Sequence, residues 1–357
     1  MLVENKFVAG VVLGTLLSFS VFAAEETPLK ASDRAAVLQT LAAQLKANYI
    51  DPAVAAKVAS AIARKNAAGG YASAASAQAF TAALSKDLRE FSGDLHFRAT
   101  LDESFDKPST AADAARNQPS RRGYGIEKVE RLAGNVGYIE LTGFLWPADA
   151  VGPAYTSAIT LLAGTDALIL DLRRNGGGSP ASVAYLMSHF FPLGDKRHLN
   201  DLYDRPTDTT TQYWTLETVT QRYDKPGYVL TSARTGSGAE ECAYDFQTQK
   251  RATLVGETTY GAANPVGPVS VGHGIVVAIP SGRAINPVTK TSWEHVGVKP
   301  DIVVPAAQAL QTAHAAILRN LASSAKEDQD RTNLQRLLAM VEKGETEKPV
   351  YTPRRDR

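Results

Sequence analysis

The sequence predicts an α/β protein with an N-terminal helical bundle. Between residues 135 and 280 it contains short β-prone runs, namely "NVGYIEL", "DALILDL", "GYVLTS", "ATLVGET" and "HGIVVAIP". Helical patterns follow two of these runs, so the order strand, turn, helix occurs twice, as it does in α/β domains. Residues 30–92 are instead alanine-rich and helical in their periodicity. A chain of 357 residues has room for one sizeable core and a smaller helical unit.

Residues 1–23 have the pattern of a signal peptide. Lys6 precedes an apolar run that continues to about Phe22, and the small residues Ala23 and Ala24 follow it. We expect cleavage near Ala23 or Ala24, and a mature protein that is periplasmic or secreted and has no membrane span. The alternative is a membrane anchor in the same segment. No later segment is apolar over the 18 or so residues that a spanning helix needs.

The sequence divides into five further parts after the predicted signal peptide. An N-terminal helical domain is expected over residues 30–100, with breaks at "DPAV" and "NAAGGY". Residues 101–122 are predicted to be a linker, because this stretch is polar and contains proline, serine and aspartate. An α/β catalytic domain is expected over 123–305 and a C-terminal helical segment over 306–345. Residues 346–357 are predicted to form a flexible tail.

Composition narrows the function classes. The 38 Lys+Arg and 37 Asp+Glu residues nearly balance, and no long basic block is present, so no nucleic-acid partner is expected. The single cysteine, Cys242, cannot form an internal disulfide and is predicted to be a core residue. No histidine, cysteine or aspartate cluster has ligand spacing, so neither a metal nor another cofactor is predicted.

The stretch "VLTSARTGSGAEECAYDF", residues 229–246, places Ser237 where a strand turns into a helix. One interpretation is structural, since Ser237 and Glu240 match the S-x-x-E capping box. The other is chemical. A hydroxyl at a helix N-terminus faces backbone N–H groups that can stabilise the oxyanion produced by its own attack on a carbonyl. The predicted helix has one apolar face, formed by Ala239, Cys242, Ala243 and Phe246.

Three consecutive glycines, Gly176 to Gly178, lie between a predicted buried strand and a helix in "LILDLRRNGGGSP". Such a turn can direct unpaired N–H groups at an anion, either a phosphate or a developing oxyanion. The spacing matches neither the dinucleotide fingerprint nor the P-loop, so it indicates nucleotide binding only weakly. A purely structural turn is the alternative.

Two further segments contain candidates for acid–base chemistry. Among the six histidines, His96 in "SGDLHFRAT" lies where the helical region gives way to a strand-like run, a position where loop residues often approach a cleft. Glu294 and His295 in "TSWEHVGVKPDI" precede a predicted strand. A carboxylate there can orient an imidazole as the third member of a triad. A solvated surface position is the alternative for Glu294.

Taken in order, "YIELTGF", "ALILDLRRNGGG", "VLTSARTGSGAEECAY", "VGETTYGAANP" and "WEHVGVKPDI" resemble the tail-specific protease family, also called the C-terminal processing peptidases. The resemblance covers about residues 30–305. It implies a core of ββα units related to the crotonase/ClpP fold, with Ser237 as the nucleophile. It further implies that the oxyanion accepts hydrogen bonds from the backbone amides of Gly238 and of Gly176 or Gly177.

Within that family, the resemblance distinguishes two branches. The branch with a Ser-Lys dyad has its lysine 25 positions after the serine, where this chain has Ala262. The chain is more similar to the branch of the tricorn protease and the interphotoreceptor retinoid-binding protein repeats. That branch implies a histidine base at His96 and a glutamate at Glu294, although Leu95 replaces the serine of the tricorn type. Residues 105–122 are too few for the PDZ domain of many members, so no PDZ domain is expected.

The resemblance implies an exported serine peptidase that hydrolyses peptide bonds by acyl transfer through a Ser-His-Glu arrangement. The expected substrate is a peptide or an unfolded protein. The alternative is a catalytically inactive binding protein of the same fold, as the retinoid-binding repeats imply. An acyl-CoA enzyme of the crotonase type is disfavoured by the predicted export signal, because coenzyme A is a cytoplasmic cofactor.

Overall fold

The structure is a computed structural model that describes residues 27–107 and 118–345. The predicted signal peptide, residues 1–23, and the predicted tail, residues 346–357, lie outside the described residues. Part of the predicted linker, residues 108–117, also lies outside them. Within the two described ranges, no helix combines the length and the apolarity that crossing a membrane requires.

In the described residues, three α-helices precede the strands, three lie among them and two follow them. The α-helices of the described residues are α1 (Ala31–Asn48), α2 (Pro52–Ala67), α3 (Ala77–Ser92), α4 (Ala148–Leu161), α5 (Pro180–Ser188), α6 (Gly238–Thr248), α7 (Ala306–Ser324) and α8 (Asp328–Glu342). The strands are β1 (Arg98–Leu101), β2 (Ile126–Leu132), β3 (Val136–Leu141), β4 (Ala167–Asp171), β5 (His198–Asp204), β6 (Thr209–Trp214), β7 (Gly227–Thr231), β8 (Ala252–Gly256), β9 (Val266–Ser270), β10 (Ile275–Pro280), β11 (Gly282–Ile285) and β12 (Ile302–Val303). A 3₁₀ helix, Pro119–Gly125, precedes β2.

A six-stranded sheet forms the centre of the larger domain, in the order β12-β8-β7-β4-β3-β2. The edge strand β2 pairs antiparallel with β3, and the other neighbours pair parallel. In β4, Leu168 and Leu170 belong to the core shared with α4, α5 and α6, whereas Ala167 and Ile169 belong to the core shared with α7. Helices therefore cover both faces of this strand. This is why its sequence is continuously apolar without alternation.

The three N-terminal helices pack on a separate antiparallel sheet with the order β1-β10-β9. Arg98 of β1 pairs with Ala278 of β10. The core of this unit contains Leu84 and Leu88 from α3 together with Val277 from β10. The helical region thus shares one hydrophobic core with a hairpin contributed by the C-terminal half of the chain.

The starts of α2 and α3 follow local capping signals. The Asp51 carboxylate accepts a hydrogen bond from the N–H of Ala53 at 2.9 Å, and the Ser76 hydroxyl accepts one from the N–H of Ala79 at 3.2 Å. Each side chain satisfies a backbone donor that the first turn of a helix leaves free.

The predicted α/β class and the predicted helical N-terminal region are confirmed. A further antiparallel sheet has the strand order β11-β5-β6. Helix α4 was not predicted, because Gly152 and Pro153 indicate a break in a local pattern. In the structure Gly152 lies directly beneath the ring of Tyr185, where an added Cβ would be 2.6 Å from the ring carbon Cζ. The close packing of α4 against α5 therefore requires a residue without a side chain at position 152.

Candidate active site

Ser237 lies at the corner between β7 and α6, as the sequence predicts. A capping serine normally has extended backbone angles, but Ser237 has φ 53° and ψ −125°. Such angles cost of order 1–3 kcal/mol in a residue other than glycine, and they persist only where the surroundings impose them. The side chain is half-buried. It faces the Glu240 N–H as in a capping box, yet within the described residues it makes no cap hydrogen bond of normal geometry.

The Glu240 carboxylate fixes the backbone of this corner. It accepts hydrogen bonds from the N–H of Ser237 at 2.9 Å, of Gly261 at 2.6 Å and of Ala262 at 3.0 Å. The Thr259 hydroxyl donates to it as well, at 2.5 Å. Burial raises the pKa of Glu240, and these four hydrogen bonds oppose that shift. Glu240 therefore joins the Ser237 corner to the segment 259–262.

The glycine-rich turn packs directly against Ser237. At Gly177 an added Cβ would be 2.6 Å from both the Gly236 carbonyl oxygen and the Gly238 nitrogen, and 2.7 Å from the Cβ of Ser237. Its φ of 101° is also unfavourable for any other residue. Gly176 differs, because an added Cβ would meet nothing within 4 Å. The structure thus brings Gly177, Ser237 and Gly238 into contact.

Not all of the predicted amide donors are free in this arrangement. The Gly177 N–H donates to the Asn175 side-chain oxygen at 2.9 Å. In the parts of the chain that the structure describes, no hydrogen bond uses the N–H of Gly176, Gly178 or Gly238. Gly178 was not predicted as a donor. Its nitrogen is 3.1 Å from the position of an added Cβ on Gly238.

His96 lies in the turn between α3 and β1. Its side chain is 12% exposed, and neither ring nitrogen has a hydrogen-bond partner within residues 27–107 and 118–345. Burial lowers its pKa, and the negative charge of Asp94 opposes that shift. The Asp94 Oδ1 atom is 3.9 Å from His96 Nδ1. A buried, neutral imidazole with both nitrogens unpartnered can accept a proton.

Glu294 uses one carboxylate oxygen for the backbone. Its Oε2 atom accepts hydrogen bonds from the N–H of Ala263 at 2.5 Å and of Asn264 at 2.9 Å. Its Oε1 atom is buried without a hydrogen-bond partner in the described residues, and lies 3.7 Å from His295 Nδ1. Burial raises the pKa of Glu294, the charge of Asp94 raises it further, and the two backbone N–H groups lower it.

A single segment, residues 259–264, connects these parts. Gly261 and Ala262 contact Glu240 beside Ser237, and the next two residues contact Glu294. The Asn264 side chain donates to Asp94 Oδ2 at 3.0 Å, which connects the segment to the His96 turn. Ala262, at the position of the dyad lysine, is buried and offers no ionisable group. No hydrogen bond or ion pair of the described residues joins His96 directly to Ser237 or to Glu294.

Other histidines have partners elsewhere in the fold. Hydrogen bonds or ion pairs join His189 to Thr156, His198 to Asp201 and His314 to the Ala133 carbonyl. Their rings therefore serve packing and local contacts.

Sequence reasoning missed three residues of the site: Asp94, Asn175 and Asn264. Asp94 could have been found, because a carboxylate two residues before a histidine is visible in "GDLHF". The two asparagines give no local signal. Their contacts to Gly177 and Asp94 exist only in the folded chain.

Comparison with known proteins gives two family matches. Residues 135–304 match peptidase family S41, and residues 29–132 match the N-terminal domain of Peptidase_S41 in eukaryotic IRBP. A chloroplastic carboxyl-terminal-processing peptidase 2 of Arabidopsis thaliana is 32% identical over 178 residues, which cover 48% of this chain and 32% of that protein. The tricorn protease of Thermoplasma volcanium is 26% identical over 178 residues, which cover 49% of this chain and 16% of that protein. The chain thus spans a third or less of the length of these two relatives.

Solved structures share the fold over most of the chain. A structure from Parabacteroides merdae has a TM-score of 0.57 at 17% identity, covering 82% of this chain and 99% of that one. A lipoprotein from Streptococcus agalactiae has a TM-score of 0.54 at 14% identity, covering 84% and 99%. The resemblance predicted from the sequence is confirmed. The chain therefore contains a peptidase family S41 domain at residues 135–304, preceded at residues 29–132 by the N-terminal domain found with it in eukaryotic IRBP.

Proposed function

We propose that the protein is an exported serine peptidase that cleaves peptides or unfolded proteins by acyl transfer. The observation that carries the proposal is the backbone of Ser237, which is held at φ 53° and ψ −125° against a glycine turn with free N–H groups. A capping role does not require these angles. A nucleophile held on a strained turn beside unpaired amide donors does benefit from them.

In the proposed reaction, Ser237 Oγ attacks the carbonyl carbon of the scissile peptide bond while His96 accepts the hydroxyl proton. The resulting oxyanion accepts hydrogen bonds from the Gly238 N–H and from Gly176 or Gly178. The C–N bond then breaks, and the leaving amine takes the proton from His96. Water attacks the acyl-enzyme with His96 again as the base, which releases the acid and restores Ser237.

The roles of the remaining predicted residues follow from their contacts. Gly177 permits the close approach of the turn to Ser237, and its own N–H becomes an oxyanion donor only when Asn175 releases it. Glu294 has a buried carboxylate oxygen with no hydrogen-bond partner in the described residues, which is available to stabilise a protonated imidazole. The lowered pKa of His96 keeps the ring neutral near pH 7, as a general base requires.

Labelling with a fluorophosphonate probe tests the proposal. We expect the wild type to react and Ser237→Ala to be silent. Ser76→Ala is the matched control, because it removes a true helix cap remote from the site. It should cost about 1 kcal/mol of stability and leave labelling intact. If Ser237→Ala still hydrolyses peptides, Ser237 is not the nucleophile.

A binding protein without turnover is the second candidate. It is favoured by one observation, which is that no hydrogen bond of the described residues connects His96 with Ser237. A folded wild-type protein that neither reacts with the probe nor cleaves an unstructured peptide would support this candidate over the peptidase.

A further inference from the structure

The turn that carries His96 is built around the Asp94 carboxylate. Asp94 Oδ1 accepts a hydrogen bond from the His96 N–H at 3.0 Å, which closes an Asx turn. The same oxygen is 3.9 Å from His96 Nδ1. One carboxylate oxygen therefore faces both the backbone and the ring of His96.

Asp94 is also a buried charge that needs compensation. Its side chain is completely inaccessible to solvent, and in the described residues its one ion-pair partner is His96. Its other oxygen, Oδ2, accepts hydrogen bonds from the Asn264 side chain at 3.0 Å and from the Tyr49 hydroxyl at 3.4 Å. Buried carboxylates are stable only where hydrogen bonds and an opposite charge replace water. Protonated His96 would supply that charge.

Glu294 is placed differently. Its Oε2 atom is occupied by two backbone N–H groups, and the histidine nearest to its Oε1 atom is His295 at 3.7 Å. The ionisable groups packed around the His96 turn are Asp94, Tyr49, Glu294, His295 and Arg89, whose guanidinium donates a hydrogen bond to the Phe97 carbonyl oxygen at 3.0 Å. Of these, Asp94 is the group whose charge acts on the pKa of His96.

We propose that Asp94 is the positioning carboxylate of His96, anchored by Asn264, and that Glu294 mainly holds the 263–264 backbone. The inference rests on the proposed function only in assigning His96 as the base. Catalytic hydrogen bonds are often long in a free enzyme and shorten in the substrate complex, which fits an Nδ1 to Oδ1 distance of 3.9 Å. A carboxylate in this position would select the ring tautomer and stabilise the imidazolium formed during attack.

The test compares Asp94→Asn with Glu294→Gln by NMR titration of isotope-labelled histidine and by steady-state kinetics. Asparagine keeps the acceptor of the Asx turn and removes the charge. We expect Asp94→Asn to lower the pKa of His96 by about 1, because an opposite charge within about 4–6 Å shifts a pKa by one to three. The value of kcat should fall about tenfold or more at unchanged KM. Glu294→Gln should lower the pKa of His96 by less.

Asp102→Asn is the matched control, since it removes a carboxylate from an exposed Asx turn nearby and should leave the pKa of His96 unchanged. An unchanged pKa of His96 in Asp94→Asn, or a larger shift in Glu294→Gln, would overturn the assignment. The NMR titration does not require turnover. It therefore tests whether Asp94 acts on the pKa of His96 even if Ser237 proves not to be a nucleophile.

A second variant covers the case in which Asp94→Asn does not fold. Asn264→Ala removes a hydrogen-bond donor from Asp94 Oδ2 and leaves more negative charge to act on the ring. The pKa of His96 should then rise, the opposite sign to Asp94→Asn. A fall or no change in the pKa of His96 would reject the proposal.

Discussion

Glu240 Oε2 accepts a hydrogen bond from the N–H of Ser237 at 2.9 Å, so the unusual backbone of Ser237 is tied to a side chain one helical turn further along. The same carboxylate holds two N–H groups of the segment 259–262. The geometry of the proposed nucleophile therefore depends on a residue that does not touch the substrate.

Glu240→Gln is expected to weaken both stability and reactivity. Four donors converge on the carboxylate, and glutamine would direct an NH₂ group at some of them. The loss of hydrogen bonds to a charged group costs about 1.5–3 kcal/mol, and Ser237 should become misaligned. Urea unfolding and probe labelling measure the two effects. Glu241→Gln changes a side chain of the same helix that makes no hydrogen bond to the Ser237 turn in the described residues, so this variant should label normally. Equal labelling of both variants would contradict the prediction.

Gly177→Ala and Gly176→Ala form a matched pair. The added methyl at Gly177 would collide with backbone atoms of Gly236 and Gly238, whereas at Gly176 it would meet nothing within 4 Å. We expect the first variant to lose most of its probe labelling and the second to keep it. Labelling rates at equal protein concentration decide between the two outcomes. Comparable rates would show that the close approach of the turn is not required.

The proposed base predicts the direction of the pH dependence. His96 must be neutral to accept the proton, and burial lowers its pKa. Turnover should therefore be lost on acidification, with a midpoint below the ordinary histidine pKa of about 6.5.

Three alanine variants test which side chain is the base. His96→Ala should abolish turnover. His295→Ala and Lys290→Ala should retain turnover, and the side chain of His295 is 56% exposed. Loss only in Lys290→Ala would indicate a lysine base.

Two buried carboxyl groups on α6 predict that stability falls as the pH rises from about 4.5 towards 8. Burial raises the pKa of Glu241 to about 8 and that of Asp245 well above its usual range. The folded protein thus holds protons that the unfolded chain has released above about pH 4.5, so the free energy of unfolding should decrease as the pH rises towards 8. Buried His189, with a pKa of about 4, acts in the opposite direction, but only below about pH 6.5.

Between pH 6.5 and 8, the pH dependence of stability should therefore reflect the buried carboxyl groups and not His189. Urea unfolding at several pH values in this interval should give a declining stability for the wild type and a flatter profile for Glu241→Gln. Parallel profiles for the two proteins would show that Glu241 is ionised in the folded state.

Export predicts a mature N-terminus near Ala24. The reason is the apolar run that ends at Phe22, followed by the small residues of a cleavage site. Edman sequencing of protein recovered outside the cytoplasm measures this directly. Recovery of a chain that retains Met1 in the membrane fraction would favour an anchor instead.

Local patterns predicted the parts of the site that depend on neighbouring residues. The β-prone residues before Ser237 and the apolar period after it are enough to place a strand-turn-helix corner. Three glycines in a row likewise indicate a turn. The partners that hold these turns come from far along the chain, as Glu240 and Gly261 or Asp94 and Asn264 illustrate. Contacts between residues so far apart in the sequence produce no local pattern from which they could be predicted.

Two further features depended on packing that local propensity does not encode. Helix α4 contains Gly152 and Pro153, which argue against a helix until the ring of Tyr185 is seen to occupy the space above the glycine. The strain at Ser237 is equally invisible in the sequence, because S-x-x-E describes an ordinary cap as well as it describes this corner.

The pairing of β1 with β10 has a consequence for the newly made chain. His96 precedes β1, and β1 is fixed only when Arg98 meets Ala278, a residue synthesised much later than Ser237. Contacts of such sequence separation form late in folding. Under the proposed mechanism the polypeptide therefore stays inactive until these two strands have paired. An unfolded chain in transit across a membrane should then be unable to digest itself or its carriers, because the proposed base is held in position only after β10 has paired with β1.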